Sequence, residues 1–259
     1  ILAAGMGKRL LPITKSKPKC MIEINGIPIL NRIVKTARLA GIDEIIVVGG
    51  YKNHLIKNIC SKLIINKKYK ITNMLYSLFC AEDFFEDEFI LSYSDIFYSV
   101  DILKKLRTEK SDITVVVDKK WKNYWKNRFN DPLTDAESLK IVNNEILEIG
   151  QKAKKINEIQ GQYIGLIYFR KNGVKYLKKF KNYITNSKSN IFEEFEINTP
   201  FDRMYITDFL QIMIKKGVII SPLEIERGWV EVDSLNDIKI AENIVKKGSL
   251  RENEKILQI

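Results

Sequence analysis

The stretch that decides the fold is ILAAGMGKRLLPITKSKPKCM, residues 1–21. Its apolar start leads into a turn that contains Gly5 and Gly7, then into the basic pair Lys8 and Arg9, and the stretch ends in KPKCM. Because glycine has no Cβ, the backbone there can take positive φ and bring its N–H groups close to an anion. The order of strand, glycine turn and cations therefore predicts a site for a nucleoside triphosphate.

A GxG alone is not specific, and it is neither the GxGxxG of a dinucleotide fold nor the GxxxxGK[ST] of a P-loop. The combination of LAAGMGKRL with KPKCM shortly after it is more specific. It resembles the signature of the nucleotidyltransferases that make sugar nucleotides and CDP-alcohols. The resemblance implies a Rossmann-like nucleotidyltransferase fold.

The bulk composition fits one large domain or one domain with a lobe, because the chain has 259 residues and 45% of them are apolar. No apolar run approaches the roughly 18 to 20 residues of a membrane span, and no signal peptide is recognisable, so we expect a cytoplasmic protein without a membrane partner. The first residue already lies in the predicted strand and no initiator Met precedes it. We therefore expect a chain trimmed at its front or an excised domain.

The cysteines and the histidine limit the kinds of site. Cys20, Cys60 and Cys80 are odd in number and form no CxxC pair, so we predict reduced, structural thiols. His54 is the only histidine, which excludes a two-His metal site. A metal here would need oxygen ligands.

The net charge of +11 indicates anionic partners. The lysines, however, occur in short scattered groups without the interleaved aromatic residues of a nucleic-acid groove. We expect no nucleic-acid partner. A homodimer is compatible with the sequence.

Strands and helices alternate along the first half of the chain. Helical spacing over residues 29–40 ends at Gly41, and IIVVGG at 45–50 is typical of a buried parallel strand, after which a further helix is predicted. The remaining predictions in this half are strands at 63–65, 89–98 and 113–118 and a helix at 74–81. Such alternation predicts an α/β fold with an open, mostly parallel sheet flanked by helices, whose ligands bind beyond the carboxyl ends of the strands.

The middle of the chain differs in composition. Residues 121–137 are aromatic and charged but poor in aliphatic side chains, so we predict that they are not core. We expect residues 1–259 to form a single domain with an inserted acceptor-binding lobe, or lid, over about 119–165. The later elements are predicted as strands at 138–142, 145–149 and 161–169, a helix at 173–184, a polar segment, a helix at 205–216, strands at 218–220 and 229–233, and a final helix.

Two carboxylates are candidate metal ligands. Asp95 is predicted at the far end of a strand, and Asp233 ends the strand WVEVD, so both can reach one rim of a parallel sheet. Asp233 could instead cap the following helix. SDIFY resembles the GD metal motif of the family, with Ser94 where many members have Gly, and WVEVDSLND resembles its EVDTPED motif. The resemblance implies that Asp95 and Asp233 hold Mg²⁺.

Two cations are the candidate catalytic residues. Attack of an oxyanion on the α-phosphorus of a nucleoside triphosphate needs in-line positioning and charge neutralisation, with pyrophosphate as the leaving group. The planar fork of Arg9 suits the β- and γ-phosphates, and the mobile point charge of Lys19 suits the α-phosphate and the attacking group.

Backbone groups are predicted to recognise the base, at the strand 2–4 and at the turn of Gly49, Gly50 and Tyr51. Asn73 and Ser77 add side chains on one helix face, although Asn73 could equally cap that helix. The predicted nucleotide-binding residues are Leu2, Ala3, Ala4, Gly5, Gly7, Lys8, Gly50, Tyr51, Asn73, Ser77 and Ser94.

Over about residues 1–244, the sequence resembles a more specific group within this family. The segments WKNYWKNRFNDPLTDAESL, EIGQKAKK, GQYIGL, MYITDFLQ and GWVEVD together resemble the phosphonate-tailoring cytidylyltransferases, and among them most closely the 2-aminoethylphosphonate cytidylyltransferases. The phosphocholine cytidylyltransferases are a neighbouring branch. Both imply CTP as the donor.

The chemistry of the acceptor distinguishes these branches. A quaternary ammonium is held best by aromatic faces, whereas a primary ammonium needs carboxylate or carbonyl acceptors. Three carboxylates within seven residues, Asp131, Asp135 and Glu137, favour the primary amine. The aromatic residues Trp121, Tyr124 and Trp125 could simply anchor the lid. Lys152 falls where relatives carry a phosphate-binding lysine in an EKP motif, with Gln151 in place of the glutamate. The predicted acceptor-binding residues are Trp121, Trp125, Arg128, Asp131, Asp135, Glu137 and Lys152.

These observations predict a Mg²⁺-dependent cytidylyltransferase that joins CMP from CTP to 2-aminoethylphosphonate and releases pyrophosphate. Phosphocholine or a sugar 1-phosphate is the alternative acceptor. A catalytically silent nucleotide-binding regulator is the alternative from another class of protein.

Overall fold

A computed structural model of the chain describes residues 1–186, 195, 199–248 and 250. The α-helices in these residues are α1 (Ile29–Leu39), α2 (Met74–Phe79), α3 (Val100–Thr108), α4 (Trp121–Arg128), α5 (Lys171–Asn186), α6 (Ile206–Lys215) and α7 (Leu235–Lys246). The strands are β1 (Leu2–Ala3), β2 (Glu23–Ile24), β3 (Ile27–Pro28), β4 (Ile46–Gly49), β5 (Lys62–Ile65), β6 (Glu88–Ser92), β7 (Ile96–Tyr98), β8 (Ile113–Asp118), β9 (Glu137–Val142), β10 (Glu145–Lys152), β11 (Gln162–Arg170), β12 (Ser221–Ile225) and β13 (Trp229–Glu231).

The chain forms two compact units. The first comprises Ile1–Lys70, Ser92–Thr108 and Arg227–Ile259, and the second comprises Ile71–Leu91 and Glu109–Glu226. The residues predicted as an insert, about 119–165, belong to the second unit. A single domain with a lid over these residues stays a prediction.

The first unit contains a parallel sheet in the order β1-β4-β5. Val48 lies opposite Leu2 on one side and Ile64 on the other, and it is buried. A parallel bridge joins Leu2 to Tyr93, which brings the segment that follows β6 beside β1. This sheet therefore places residues 4–19, the loop predicted to bind phosphates and here named the phosphate loop, beside the segment that carries Asp95.

The second unit contains a four-stranded sheet in the order β12-β8-β11-β6. Every residue of β8 is buried, as expected of the ITVVVD run. β12 runs parallel to β8 and β11 runs antiparallel to it. The antiparallel pair β9 and β10 packs against α6. The predicted α/β class, with a mostly parallel sheet flanked by helices, is confirmed.

Three local predictions were wrong. The single strand predicted at 89–98 is two strands, because β6 pairs with β11 in the second unit and β7 pairs with β13 in the first. The helix expected after Gly50 is only a 3₁₀ turn, Asn53–Leu55. The strand predicted at 218–220 begins three residues later, at Ser221. A strand-like stretch of sequence does not reveal where the chain changes its pairing partner.

The prediction that residues 121–137 lie outside the core was also wrong. Trp121 is 1% exposed, Tyr124 and Trp125 are each 4% exposed, and the two indoles meet edge to face with 5.8 Å between ring centroids. Large aromatic side chains can build a core without aliphatic neighbours because each buries a large area. The aromatic residues of α4 therefore pack inside the second unit.

Two further sequence predictions concern membrane-spanning segments and the polar segment after α5. No helix within the described ranges is long and apolar enough to cross a bilayer. The polar segment predicted after α5 falls on residues 187–198, which lie outside the described residues except for Phe195.

Candidate active site

The phosphate loop depends on glycine at Gly7. This residue has φ +62°, in the left-handed region, and follows β1 by four residues. A Cβ there would lie 2.9 Å from Lys19 Cβ and 3.2 Å from Thr14 Cγ2. Only a residue without a side chain therefore permits both the turn and the close approach of Lys19.

The turn after β4 meets the start of this loop. The N–H of Tyr51 donates to the carbonyl of Ala4 over 3.1 Å. A Cβ on Gly50 would lie 2.7 Å from the same carbonyl oxygen, so the two backbones are in close contact. The structure thus brings together the two backbone segments that were predicted to face the base.

Lys19 lies at the centre of an ionic cluster in the first unit. Its ammonium group donates to Asp95 Oδ2 over 2.7 Å and also to Asp233. Arg9 Nη2 donates to the other oxygen of Asp233 over 2.8 Å. The side chains of Lys19 and Asp233 are largely buried, whereas that of Arg9 is 65% exposed. Two predicted catalytic cations and two predicted metal ligands therefore form one cluster.

The electrostatics of the cluster keep Lys19 charged. Burial lowers the pKa of Lys19, but Asp95 and Asp233 oppose this effect and the net result is a raised pKa. The neighbouring Cys20 behaves differently, because burial raises the pKa of its thiol to about 12 and keeps it neutral. Of these two neighbours, Lys19 is therefore charged and Cys20 is neutral.

The pairing of β7 with β13 explains why the two carboxylates meet. The strands are antiparallel, with Glu231 opposite Ile96, and the N–H of Val232 donates to the carbonyl of Asp95 over 2.9 Å. Asp95 precedes β7 and Asp233 follows β13, so both lie at the same end of this pair. The predicted convergence is correct, but the reason given for it, the carboxyl ends of parallel strands, was wrong.

Asp233 does not cap the last helix. Ser234 is the N-cap of α7, and its side chain accepts from the N–H of Asp237. In return, Asp237 Oδ2 accepts from the N–H groups of Asp233 and Ser234 over 3.0 and 2.9 Å. Asp237 therefore fixes the backbone of Asp233. Sequence reasoning missed it, although SLND has the S-x-x-D form of a capping box.

The cluster fits a divalent cation that is only partly held by protein. Asp95 Oδ1 is buried and has no hydrogen-bond partner among the described residues. Carboxylate oxygens are the ligands that Mg²⁺ prefers, and such sites often combine one or two carboxylates with substrate phosphates. No group of three or more His, Cys, Asp or Glu residues in the described part of the chain could hold a metal. Asp95 and Asp233 thus suit a cation that shares its ligands with a nucleotide.

The predicted nucleotide-binding residues are divided between the two units. Leu2, Ala3, Ala4, Gly5, Gly7, Lys8, Gly50, Tyr51 and Ser94 belong to the first unit, and Asn73 and Ser77 belong to the second. Asn73 is the N-cap of α2, since its Oδ1 accepts from the N–H of Met74 over 2.9 Å. Ser77 Oγ donates to the carbonyl of Asn73 over 3.3 Å. Both side chains therefore have structural hydrogen bonds.

The predicted acceptor residues all lie in the second unit, and several have structural partners. Asp131 caps the 3₁₀ turn Pro132–Thr134 by accepting from Leu133 N–H over 3.0 Å. Asp135 accepts from the indole N–H of Trp125 over 3.1 Å. The guanidinium of Arg128 lies 5.1 Å from the centroid of a Trp125 ring. These contacts favour the alternative that the aromatic residues anchor this segment.

Glu137 and Lys152 are opposite each other on β9 and β10. Burial raises the pKa of Glu137 from 4.5 to about 7, with further contributions from the charges of Asp208 and Asp135. Lys152 is exposed. The position thus combines a carboxylate that a cation would stabilise with a neighbouring exposed ammonium.

Trp121 borders a cavity of about 480 Å³ in the second unit. Lys119 and Lys122 also line it, as do Gln160 and Glu224. The ammonium of Lys119 lies 3.0 Å from Glu224. Most of the side chains that line the cavity are polar. Of the predicted acceptor residues, only Trp121 lines it.

Comparison with known proteins adds independent information. A family model described as the MobA-like NTP transferase domain matches residues 1–155. The CTP:phosphoglutamine cytidylyltransferase of Campylobacter jejuni subsp. jejuni serotype O:2 is 40% identical over 251 residues, which are 93% of this chain and 97% of that protein. The 2-aminoethylphosphonate cytidylyltransferase of Lancefieldella rimae is 33% identical over 91 residues, which are 33% of this chain and 37% of that protein. A solved structure of the CTP:phosphocholine cytidylyltransferase of Streptococcus pneumoniae matches with a TM-score of 0.69 at 20% identity and covers 94% of this chain and 96% of that chain.

Proposed function

Because the chain belongs to the MobA-like NTP transferase family, we propose that it is a cytidylyltransferase that transfers CMP from CTP to phosphoglutamine. One observation carries this acceptor. The 40% identity to a CTP:phosphoglutamine cytidylyltransferase extends over 97% of that protein, so it includes the residues of the second unit. The match to a 2-aminoethylphosphonate cytidylyltransferase covers 37% of that protein.

The reaction exchanges one P–O bond for another. An oxygen of the acceptor's phosphoryl group attacks the α-phosphorus of CTP, and the bond from that phosphorus to the oxygen bridging to the β-phosphate breaks. Pyrophosphate leaves with the electron pair of that bond. No covalent intermediate with the protein is needed, so catalysis depends on positioning and on neutralising charge.

The cations of the first unit suit these two tasks. Arg9 is exposed at the phosphate loop, and its planar fork can bind two phosphate oxygens at once. Lys19 remains protonated, and its side chain lies close to Gly7 of the same loop. We assign Arg9 to the β- and γ-phosphates, and Lys19 to the α-phosphate and the incoming oxygen.

Asp95 and Asp233 would hold the divalent cation, which we propose to be Mg²⁺ and which neutralises phosphate charge when it is bound. Lys19 pairs with the same two carboxylates. Lys19 and the cation would therefore compete for Asp95 and Asp233 until a nucleotide offers phosphate oxygens to both.

The acidic residues of the second unit support an acceptor that carries a primary ammonium. Burial raises the pKa of Glu137, and the nearby charges of Asp208 and Asp135 raise it further. An ammonium beside Glu137 would stabilise its charged form. The opposite residue, Lys152, suits the acceptor's phosphoryl or carboxylate group.

The same feature supports 2-aminoethylphosphonate, the acceptor predicted from the sequence, as the second candidate, since it also carries a primary ammonium and an attacking P–O oxygen. Phosphocholine is less well supported. Its quaternary ammonium needs accessible aromatic faces, whereas Trp121 and Trp125 are buried and Arg128 already lies near the Trp125 ring.

The experiment is pyrophosphate release by the purified chain with Mg²⁺, each of the four ribonucleoside triphosphates, and four acceptors: phosphoglutamine, 2-aminoethylphosphonate, phosphocholine and glucose 1-phosphate. We expect the highest kcat/KM with CTP and phosphoglutamine. A preference for 2-aminoethylphosphonate would replace the acceptor but keep the reaction. Release with no pair would support a nucleotide-binding regulator instead.

A further inference from the structure

The side chain of Tyr51 contacts the phosphate loop at a point distant from its backbone contact. Its hydroxyl oxygen lies 3.0 Å from the carbonyl oxygen of Thr14 and 3.2 Å from that of Lys15, and it donates to this pair. Its N–H bonds to the carbonyl of Ala4 over 3.1 Å. One residue therefore holds the beginning and the far side of the same loop.

Thr14 passes this constraint to the glycine turn. Thr14 is 1% exposed, and its hydroxyl donates to the carbonyl of Gly7 over 3.0 Å. Gly7 in turn lies so close to Lys19 that an added Cβ would be only 2.9 Å from Lys19 Cβ. The hydrogen bonds and this close packing form a continuous path from Tyr51 through Thr14 and Gly7 to Lys19.

We propose that the hydroxyls of Tyr51 and Thr14 are positioning groups that hold the phosphate loop in the conformation that binds the triphosphate of the nucleotide. This inference rests on the proposed function of that loop. Neither hydroxyl needs to touch the nucleotide, because each acts through backbone carbonyls of the loop. Sequence reasoning assigned only the backbone of Tyr51 to the nucleotide.

The expected kinetic effect follows from the population of the loop. A ligand binds more weakly in proportion to the fraction of protein in the competent conformation. If loss of one hydroxyl lowers that fraction to about a tenth, KM for CTP rises about tenfold. At saturating CTP the bound loop is restored, so kcat and KM for the acceptor stay within about twofold. A general loss of stability would instead lower the melting temperature and the amount of active enzyme without changing KM for CTP.

The test compares Tyr51→Phe, Thr14→Val and Thr14→Ser with the wild-type chain by steady-state kinetics and by calorimetric titration with CTP. We expect Tyr51→Phe and Thr14→Val to weaken CTP binding about tenfold, and Thr14→Ser, which keeps the hydroxyl, to remain within about twofold of wild type. The double variant Tyr51→Phe/Thr14→Val should show less than the product of the single effects, since both hydroxyls hold one loop.

Tyr98→Phe is the matched control. It removes a hydroxyl hydrogen bond of the same length, 3.0 Å, from Tyr98 to Ser92 Oγ in the same unit. We expect it to lower the melting temperature and to leave KM for CTP unchanged. If Tyr51→Phe shows the same pattern as this control, the inference is wrong.

Failure of the proposed function would be visible separately, as wild-type protein that releases no pyrophosphate with any pair of substrates. The calorimetric affinity for CTP then still decides the role of the loop. Equal affinity in wild type and Tyr51→Phe, including no binding to either, would overturn the inference.

Discussion

The ammonium group of Lys19 lies 2.7 Å from Oδ2 of Asp95, a residue 76 positions further along the chain. The same ammonium contacts Asp233, which is 214 positions away. A buried cation of the phosphate loop thus contacts both carboxylates. Removing one member of such a buried ion pair leaves the charge of its partner uncompensated.

Replacing Lys19 by alanine should lower kcat about a hundred- to a thousandfold, because one electrostatic group that stabilises the transition state contributes on that order. Steady-state pyrophosphate release with CTP measures it. Lys17→Ala is the matched control, since Lys17 lies in the same loop but pairs with Glu23 over 2.9 Å. The control should retain kcat within about twofold, and normal turnover by Lys19→Ala would contradict the assignment.

Replacing Lys19 by methionine should also increase the affinity of the nucleotide-free protein for a divalent cation. The two carboxylates then lose the ammonium that contacts both of them, while Arg9 still pairs with Asp233, and a divalent cation can take the place of the ammonium. Titration with Mn²⁺, followed by electron paramagnetic resonance, should show at least about tenfold tighter binding than wild type, a change equivalent to about 1.4 kcal/mol. The double variant Lys19→Met/Asp95→Asn should lose the gain, and equal affinities of Lys19→Met and wild type would show that Lys19 is not the competing cation.

Replacing Gly7 by alanine should lower both stability and activity. A left-handed backbone costs a residue with a Cβ roughly 1–2 kcal/mol, and here the new Cβ would also press on Lys19 and Thr14. Gly217→Ala separates the two effects, because Gly217 has φ +83° but nothing within 4 Å of the added Cβ. Urea denaturation should show a loss of stability in both variants, and only Gly7→Ala should lose pyrophosphate release. Full activity of Gly7→Ala would mean that the loop tolerates displacement of Lys19.

Replacing Glu137 by glutamine should stabilise the protein at high pH. The folded-state pKa of Glu137 is about 7, against an ordinary value of 4.5. Between these values the unfolded chain has released a proton that the folded protein keeps, so the free energy of unfolding falls as pH rises through this window. Ionisation of the buried Glu137 lowers the free energy of unfolding. This loss is absent below pH 4.5 and complete above about pH 7, where it reaches about 3 kcal/mol as an upper bound.

Melting temperatures of wild type and Glu137→Gln between pH 4 and pH 9 measure this effect. The difference between the two proteins should grow from near zero to its full size across the window. In an Asp208→Asn background the difference should be smaller, since the charge of Asp208 contributes to the raised pKa. A difference that does not change with pH would place the titration elsewhere.

Much of the first unit could be predicted from local sequence because its signals are local. The glycine turn at Gly5 and Gly7 and the β-branched run that forms β4 each require only neighbouring residues. The resemblance of the first 21 residues to the nucleotidyltransferases was confirmed by the family match over residues 1–155. Helical spacing placed α1 within one residue of its observed ends.

Only the tertiary structure decided how distant segments combine. The antiparallel pairing of β7 with β13, not a shared parallel rim, brings Asp95 and Asp233 together. The aromatic residues of α4 are core and not an exposed surface, because burial depends on what packs around a helix and not on its composition. The sequence by itself determined the glycine turn and the nucleotidyltransferase family. The three-dimensional packing decided that Lys19 contacts both carboxylates and that the Tyr51 hydroxyl bonds to the loop, since these contacts join residues whose separation along the chain exceeds the reach of any periodic pattern.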